Sequence, residues 1–383
     1  MILRDCYFPG SGCTNATFNQ INYTIMQVLL GIFFHSIGGF ASGSFYMPFS
    51  KVKNWAWESY WIIGGLFSWL IVPPIAAYLT IPGFAEIIKA ASFNVLAVTY
   101  LMGLLWGIGG LTYGLGVRYL GMSLGNSVVL GFCSAFGALV PPIYYSIVPT
   151  AGKISFIQML SSSGGQLVLL GVAVCLAGIA ISGRAGMLKE KEISAEQSKM
   201  SVKEFSLVKG LIIAVISGIL SAFFNYGIEA GKPMAEVADQ AWAVLNPNET
   251  GKFLFGNNVT YIVLLWGGLT TNLIWTTILS LKNRTTSDFT NKKTPLLNNY
   301  FFAALAGTIW FMQFFFYGMG ESKLGNGASS WILHMSTIIL TANMWGIYNK
   351  EWKGTSSKTK MTITVGIAVI LLSVVIVGIG NSL

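Results

Sequence analysis

The sequence predicts an all-α integral membrane protein whose ten transmembrane helices form a 5+5 inverted repeat. Three observations lead to this prediction: the composition, the number of apolar stretches and an internal repeat. Of the 383 residues, 54% are hydrophobic and only 10% are charged, whereas soluble domains contain about 25% charged residues. So few charges cannot cover the surface of a soluble protein of this size, which excludes a soluble enzyme and a disordered chain.

Ten stretches are long and apolar enough to cross a bilayer as helices, each of which requires about 20 residues. They cover residues 27–49, 57–79, 93–117, 121–148, 164–183, 208–230, 258–281, 300–320, 324–348 and 361–380. Residues 1–26 lack an apolar core, so we expect them to form an outward-facing tail without a cleaved signal peptide.

The loops between these spans are alternately rich and poor in lysine and arginine. Most of the 23 basic residues lie in loops that follow the odd-numbered spans, and basic loops of membrane proteins face the cytoplasm. We therefore expect a multi-pass protein of the inner membrane with both termini outside. The net charge of +9 is spread over short loops rather than along a groove with exposed aromatics, which argues against nucleic-acid binding.

Two pairs of spans resemble each other in sequence. Trp106 and Tyr113 of span three align with Trp310 and Tyr317 of span eight, and span one aligns with span six. The matching spans therefore follow the same order in both halves of the chain. The members of each pair are five positions apart in the order of spans, which is an odd number, so the two halves would cross the membrane in opposite directions. Inverted repeats are typical of secondary transporters, whose substrate site lies between the halves near the membrane midplane. The predicted domains are a first repeat at 27–183, a cytoplasmic linker at 184–207 and a second repeat at 208–383.

Four ionisable residues within these spans are candidates for proton coupling. His35 and His334 lie well inside spans one and nine, where burial is costly and a histidine can accept and pass on a proton. Each histidine could instead pack between helices and donate to a backbone carbonyl. Glu58 and Glu229 lie near span ends. There the alternative is a solvated helix terminus, and only a partly buried carboxyl group would suit proton transfer.

Polar and aromatic residues inside the spans are candidates for substrate binding. Gln313 lies at the centre of span eight, and its amide offers donors and an acceptor to sugar hydroxyls. Trp106 and Trp310 are repeat partners on glycine-rich helices and could cover the apolar face of a sugar. Thr112 and Asn225 are weaker candidates on the same argument. For all of them, packing between helices is the alternative interpretation.

Several other patterns do not indicate chemistry. Trp55, Trp57 and Trp61 lie where the first intracellular loop meets span two and are interpreted as part of an interfacial aromatic belt. Residues 121–125 match the nucleophile pattern G-x-S-x-G but lack the strand that should precede it. The four cysteines do not have the spacing of a metal site, so we expect no metal. Because these spans carry no recognisable catalytic triad, we also expect no enzyme activity and no cofactor. A disulfide between Cys6 and Cys13 is left open.

Eight short motifs are spread from span one to span nine. They include the runs Trp-Gly-Ile-Gly, Gln-Phe-Phe-Phe-Tyr and Ser-Trp-Ile-Leu-His. They lie at residues 34–35, 51–58, 106–109, 113–115, 118–123, 232–234, 313–317 and 330–336. Together and in this order they resemble the L-rhamnose–proton symporter family of the drug/metabolite transporter superfamily. The resemblance implies ten spans, a five-plus-five inverted repeat and proton-coupled uptake of a deoxyhexose. The matching segments include Tyr113, Tyr317 and Trp331, which join the substrate-binding candidates.

These observations favour a secondary transporter that uses the proton gradient to take up L-rhamnose or a closely related monosaccharide by alternating access. Its partners would be the sugar, protons and the lipid bilayer, and we expect a monomer or a weak dimer. Two alternatives remain open. The same fold could carry a different sugar or small metabolite, including outward. A membrane sugar sensor is less favoured, because the longest cytoplasmic segment is only the linker at 184–207.

Overall fold

The computed structural model describes residues 15–147, 149, 154–192, 206–247, 255–324 and 327–383. Within these ranges the regular secondary structure is helical and includes no strand. Nine helical stretches of the described residues are long and apolar enough to cross a membrane, and the segment predicted as span nine forms a further helix, Gly327–Tyr348. An all-α integral membrane protein is therefore confirmed. Cys6 and Cys13 lie outside the described residues.

The helices follow each other with few long connections. In the first half they are α1 Asn15–Ser44, α2 Tyr46–Phe49, α3 Trp57–Gly65, a π-helical turn at Leu66–Ile71, α4 Val72–Thr80, α5 Phe84–Ala90, α6 Phe93–Leu120, α7 Met122–Ile147, α8 Phe156–Ser161 and α9 Ser163–Glu192. In the second half they are α10 Leu207–Ser221, α11 Phe223–Leu245, α12 Asn257–Asn283, a 3-10 turn at Thr286–Phe289, α13 Leu296–Leu324, α14 Gly327–Tyr348 and α15 Ser357–Ser382.

The second predicted span is not a regular α-helix. After α3 the chain makes the π-helical turn Leu66–Ile71, and α4 then runs through the two prolines at 73–74. Proline has no backbone N–H and collides with the carbonyl group four residues earlier, and the wider π turn just before the prolines relieves that conflict. The turn also brings Trp69, which is fully buried, into contact with the ring of Trp310.

The sixth predicted span differs most from the sequence-based expectation. The sequence predicts an end at residue 230, before Lys232 and Pro233, but α10 and α11 meet at Ala222 and continue to Leu245. Proline is tolerated inside membrane helices because neighbouring groups satisfy the freed backbone carbonyl. Glu229 is therefore in the interior of α11 and not at a helix terminus.

The predicted linker at 184–207 is also partly helical. α9 continues to Glu192, so residues 184–192 are helical although the candidate span ends at Lys189, and residues 193–205 lie outside the described part of the chain. At its end the Glu192 carboxylate accepts hydrogen bonds from the Ser356 backbone N–H at 2.7 Å and from the Thr359 hydroxyl at 2.7 Å. These hydrogen bonds hold the pKa of Glu192 below its usual range. They attach the end of α9 to the start of α15.

Helices of the two halves pack in matching combinations. α1 packs on α13 and α14, while α10 packs on α6 and α7. α9 lies along α15, and α7 lies against α14. The two halves therefore interdigitate and do not form separate bundles, so a site between them is surrounded by both.

Trp55 and Trp61 are buried inside the protein, so their interpretation as an interfacial belt is wrong. Trp61 is 1% exposed, and its indole Nε1 donates to Asn272 Oδ1 at 2.8 Å. Asn272 Nδ2 in turn donates to the carbonyl oxygens of Gly107 and Gly268. Polar groups at membrane depth must be satisfied within the protein, and this network does so where α3, α6 and α12 meet.

Candidate functional site

A cavity of about 70 Å³ lies between the helices of the two halves. At roughly 10–15 Å³ for each water molecule, this is space for about five waters, the scale of a small polar molecule rather than a peptide or a lipid. Residues of α1, α6, α7, α10, α11, α13 and α14 form its walls. The cavity is therefore surrounded by both halves of the chain.

Residues that align in the repeat face this cavity together. The aligned pairs are Ser42 and Ser221, Phe45 and Phe224, Trp106 and Trp310, and Tyr113 and Tyr317. The contacts within the walls correspond as well. The ring of Phe45 stacks on that of Trp310 with centroids 4.6 Å apart, and the ring of Phe224 packs on that of Trp106 at 5.1 Å. The same aromatic wall is thus built once from each half.

Three polar atoms of the lining have no hydrogen-bond partner among the described residues. They are Gln313 Nε2, Trp331 Nε1 and His334 Nδ1, on side chains that are 6%, 8% and 2% exposed. A buried polar group without a partner costs about 1–3 kcal/mol, so three of them around one cavity favour a polar occupant, water or a ligand, that supplies the partners. Hydroxyl groups meet this need, because each one can accept and donate.

His334 is one of two buried histidines that lie side by side at the edge of the cavity. The ring centroids of His35 and His334 are 6.0 Å apart, and the ring of Tyr317 lies 5.3 Å from the first and 5.4 Å from the second. His35 is fully buried, and both of its ring nitrogens lack a partner in the described part of the chain. The structure thus brings together the two histidines that the sequence singles out on separate spans.

Two weaker binding candidates lie outside the cavity lining. The Thr112 hydroxyl donates to the carbonyl oxygens of Ile108 and Gly109 within its own helix. Asn225 follows the lining residue Phe224 on α11 but does not belong to the lining. Their role in substrate binding stays a prediction, to which the cavity adds no support.

The two predicted carboxylates also lie away from the cavity. Glu58 is 5% exposed, and its Oε1 accepts hydrogen bonds from Asn283 Nδ2 at 3.0 Å and from the Thr285 hydroxyl at 2.8 Å. Glu229 is exposed on α11. Within the described ranges, no three histidine, cysteine, aspartate or glutamate side chains are grouped as a metal site would require.

Sequence reasoning missed one carboxylate near the site. Glu321 lies on α13, and its Oε2 accepts a hydrogen bond from Asn257 Nδ2 at 3.0 Å. The apolar stretch of span eight ends at residue 320, whereas the helix continues to Leu324. The spacing of four residues from Tyr317, which puts both on one helical face, is the signal that could have found it.

Membrane-crossing helices around a small cavity between two halves of the chain, with aromatic walls and polar groups that are unpaired among the described residues, are the arrangement typical of a secondary transporter. The family model described as L-rhamnose-proton symport protein (RhaT) matches residues 24–382 of the chain. The chain therefore belongs to the L-rhamnose-proton symporter family.

Individual members of this family align with almost the whole chain. The L-rhamnose-proton symporters of Yersinia pestis (strain Pestoides F) and Yersinia pseudotuberculosis serotype O:3 (strain YPIII) are each 39% identical to it over 358 residues, 92% of this chain and 98% of the relative. That of Yersinia pestis bv. Antiqua (strain Antiqua) is 38% identical over the same coverage. These relatives are transport proteins, which confirms the prediction that the chain is not an enzyme.

Proposed function

We propose that this protein takes up L-rhamnose, or a closely related monosaccharide, together with protons by alternating access. The observation that carries the proposal is the cavity between the two halves, where three polar atoms that have no partner among the described residues face aromatic walls. Membership of the L-rhamnose-proton symporter family supports the same function. The proton gradient supplies the driving force, and transport of this kind requires no cofactor.

The lining offers a deoxyhexose two kinds of surface. The ring faces of Trp106 and Trp310 can pack on the C–H groups and the methyl group of the sugar. The amide of Gln313 and the indole N–H of Trp331 can donate to its hydroxyl oxygens. A 6-deoxy sugar suits a largely aromatic cavity because a methyl group replaces the hydroxymethyl group of the parent hexose.

Protonation of His334 would couple the sugar to the proton. A neutral imidazole has one donor and one acceptor nitrogen, whereas a protonated imidazole donates from both. A buried cation is unfavourable without partners, and sugar hydroxyl oxygens at Nδ1, which is unpaired within the described residues, would supply one. Sugar and proton would then bind more favourably together than separately, which is the coupling that symport requires.

We further propose the complete architecture of ten spans in two inverted repeats of five, at 27–183 and 208–383. The matching packing of α1 and α10 supports it, as do the aligned residues around the cavity. In this architecture the two halves rock around the site and open it to each side in turn. We also propose that both termini lie outside the inner membrane and that the chain acts as a monomer or a weak dimer.

Uptake of labelled L-rhamnose into proteoliposomes, with and without an inward proton gradient, tests the function. We expect accumulation above the external concentration only with the gradient. Competition by unlabelled monosaccharides then ranks their affinities. Accumulation that ignores the gradient would contradict proton coupling. Uptake of another monosaccharide in the absence of L-rhamnose uptake would keep the mechanism and change the cargo.

The variant His334→Ala should lose gradient-driven accumulation by roughly 100-fold, the scale on which a proton-transfer group contributes. Folding should be preserved, because the ring is replaced by a smaller side chain at the edge of a cavity. Met344→Ala on the same helix, whose side chain is 64% exposed, is the matched control. Accumulation is measured with labelled sugar, and folding by size-exclusion chromatography. Wild-type accumulation by His334→Ala would refute the role of this histidine.

A further inference from the structure

His35, one of the two paired histidines, packs against α13 at Gly320. Its ring lies against Gly320, where a Cβ atom would come within 2.7 Å of His35 Cδ2 and Nε2. The missing side chain at 320 therefore provides the space that the imidazole occupies. The next residue along the helix is Glu321, so the buried histidine lies against the backbone immediately before this carboxylate.

Glu321 and the histidine pair are linked through Tyr317. Glu321 follows Tyr317 by four residues on α13, which puts the two side chains on one helical face. The ring of Tyr317 contacts both histidines, and Tyr317 and His334 line the cavity. A series of titratable groups therefore runs from the end of α13 to the substrate cavity.

The surroundings of Glu321 suit a carboxyl group that changes its protonation state. The side chain is half-buried, and its hydrogen-bond partner is the neutral amide of Asn257. An amide can donate to a carboxylate and, after rotation, accept from a carboxylic acid. The other titratable groups that act on Glu321 are Lys232, Glu229 and Asp239 of α11, Tyr261 of α12 and Tyr317 of its own helix.

We propose that Glu321 exchanges protons with the outer solution and passes them to the His35–His334 pair, a role that rests on the proposed function. A proton from outside binds the Glu321 carboxylate. The carboxyl O–H bond then breaks and an imidazole N–H bond forms, which restores the carboxylate and leaves one histidine protonated beside the sugar. After the halves rock, that N–H bond breaks and the proton leaves to the inner solution with the sugar.

Two transport assays on Glu321→Gln separate coupling from sugar movement. The first is accumulation of labelled L-rhamnose under an inward proton gradient. The second is exchange of labelled for unlabelled L-rhamnose across proteoliposomes without a gradient. We expect accumulation to fall at least ten-fold and exchange to stay within two-fold of wild type. Glu321→Asp should restore part of the accumulation, and Glu86→Gln, at an exposed position on α5, should behave as wild type.

Sugar binding measured in detergent gives a readout that does not depend on transport. Tryptophans line the cavity, so their fluorescence can report L-rhamnose binding at about pH 6 and about pH 8, a range in which a coupling group should titrate. Wild-type affinity should be higher at the lower pH, and Glu321→Gln should keep this pH dependence to within two-fold, because His334 still binds the coupling proton at equilibrium.

Each result distinguishes this role from the proposed function. Wild-type accumulation by Glu321→Gln would overturn the role, and so would equal loss of accumulation and exchange, which a structural role predicts. Loss of the pH dependence of binding in Glu321→Gln would overturn it as well, because the coupling proton would then stay on Glu321. If the wild-type protein itself neither binds nor accumulates L-rhamnose, the proposed function fails instead.

Discussion

Gly110 of α6 lines the cavity, and the space beside its Cα atom is open. A Cβ atom on Gly103 or Gly109 of α6 would collide with a neighbouring helix, whereas one on Gly110 would have no atom within 4 Å. In the repeat alignment Gly110 corresponds to Phe314, whose ring lines the cavity as well. The two walls therefore differ at this position, because one carries a phenyl ring and the other is left open to the substrate.

The variant Gly110→Ala should be more stable than wild type and transport less well. Alanine in a helix is favoured over glycine by about 0.5–1 kcal/mol, and there is space for its methyl group. That methyl group occupies part of the substrate space, so we expect KM to rise about ten-fold, equivalent to about 1.4 kcal/mol of binding energy. Thermal unfolding in detergent and the KM of gradient-driven uptake are the measurements.

Gly183→Ala is the matched control for this variant. A Cβ atom on Gly183 of α9 also has nothing within 4 Å, and Gly183 does not belong to the cavity lining. It should gain similar stability without any change in KM. An unchanged KM in Gly110→Ala would mean that the substrate does not use the open wall.

At the level of single residues, the sequence predicts which side chains line the cavity better than it predicts their hydrogen-bond partners. Trp106, Trp310 and Gln313 are predicted from the repeat and from their position at the centre of a span, and all three line the cavity. Glu58 looks similar in sequence, but the groups that bind it are 225 and 227 positions further along the chain. Local patterns contain no information on contacts of that kind, so its environment could not be predicted.

At the level of helices, hydropathy locates the interiors well and the ends poorly. α9, α11 and α13 all continue beyond the apolar stretches into sequence that contains lysine and glutamate. Both residues are good helix formers, so the helix does not end where the apolar stretch ends. The apolar stretch of span eight ends just before Glu321. Because the helix continues to Leu324, Glu321 lies on the same helical face as Tyr317.

The packing of α6 against α12 depends on Gly103. A Cβ atom there would overlap the Leu264 carbonyl oxygen, so Gly103→Ala must separate two backbones that now touch. Overpacking of this kind costs about 1–3 kcal/mol, and we expect a lower thermal midpoint in detergent. Gly110→Ala is the same substitution two turns away and should shift the midpoint upwards. An upward shift in both variants would show that helix propensity and not packing decides the outcome.

At the level of the whole molecule, the packing and the site both match the proposed internal repeat. Each half contributes one helix that packs on two helices of the other half. α1 packs on α13 and α14, and α10 packs on α6 and α7. The cavity forms where these contacts meet, so its walls carry the aligned aromatic pairs. A site shared in this way changes whenever the halves move relative to each other, which is the physical basis of alternating access.

The proposed inversion of the two repeats predicts that Lys89 and Lys292 lie on opposite sides of the membrane. Both are exposed and occupy equivalent connections, between spans two and three and between spans seven and eight. Lys89→Cys and Lys292→Cys, each in a background without Cys6, Cys13, Cys133 and Cys175, form a matched pair.

With both termini outside, a membrane-impermeant maleimide should label Lys89→Cys in intact cells and Lys292→Cys only after the membrane is opened. Labelling of both from the same side would contradict the inversion. The reversed pattern would be consistent with the inversion but would place both termini on the cytoplasmic side. Because Glu321 lies at the end of α13 remote from Lys292, the reversed pattern would also move its proton exchange to the cytoplasmic side.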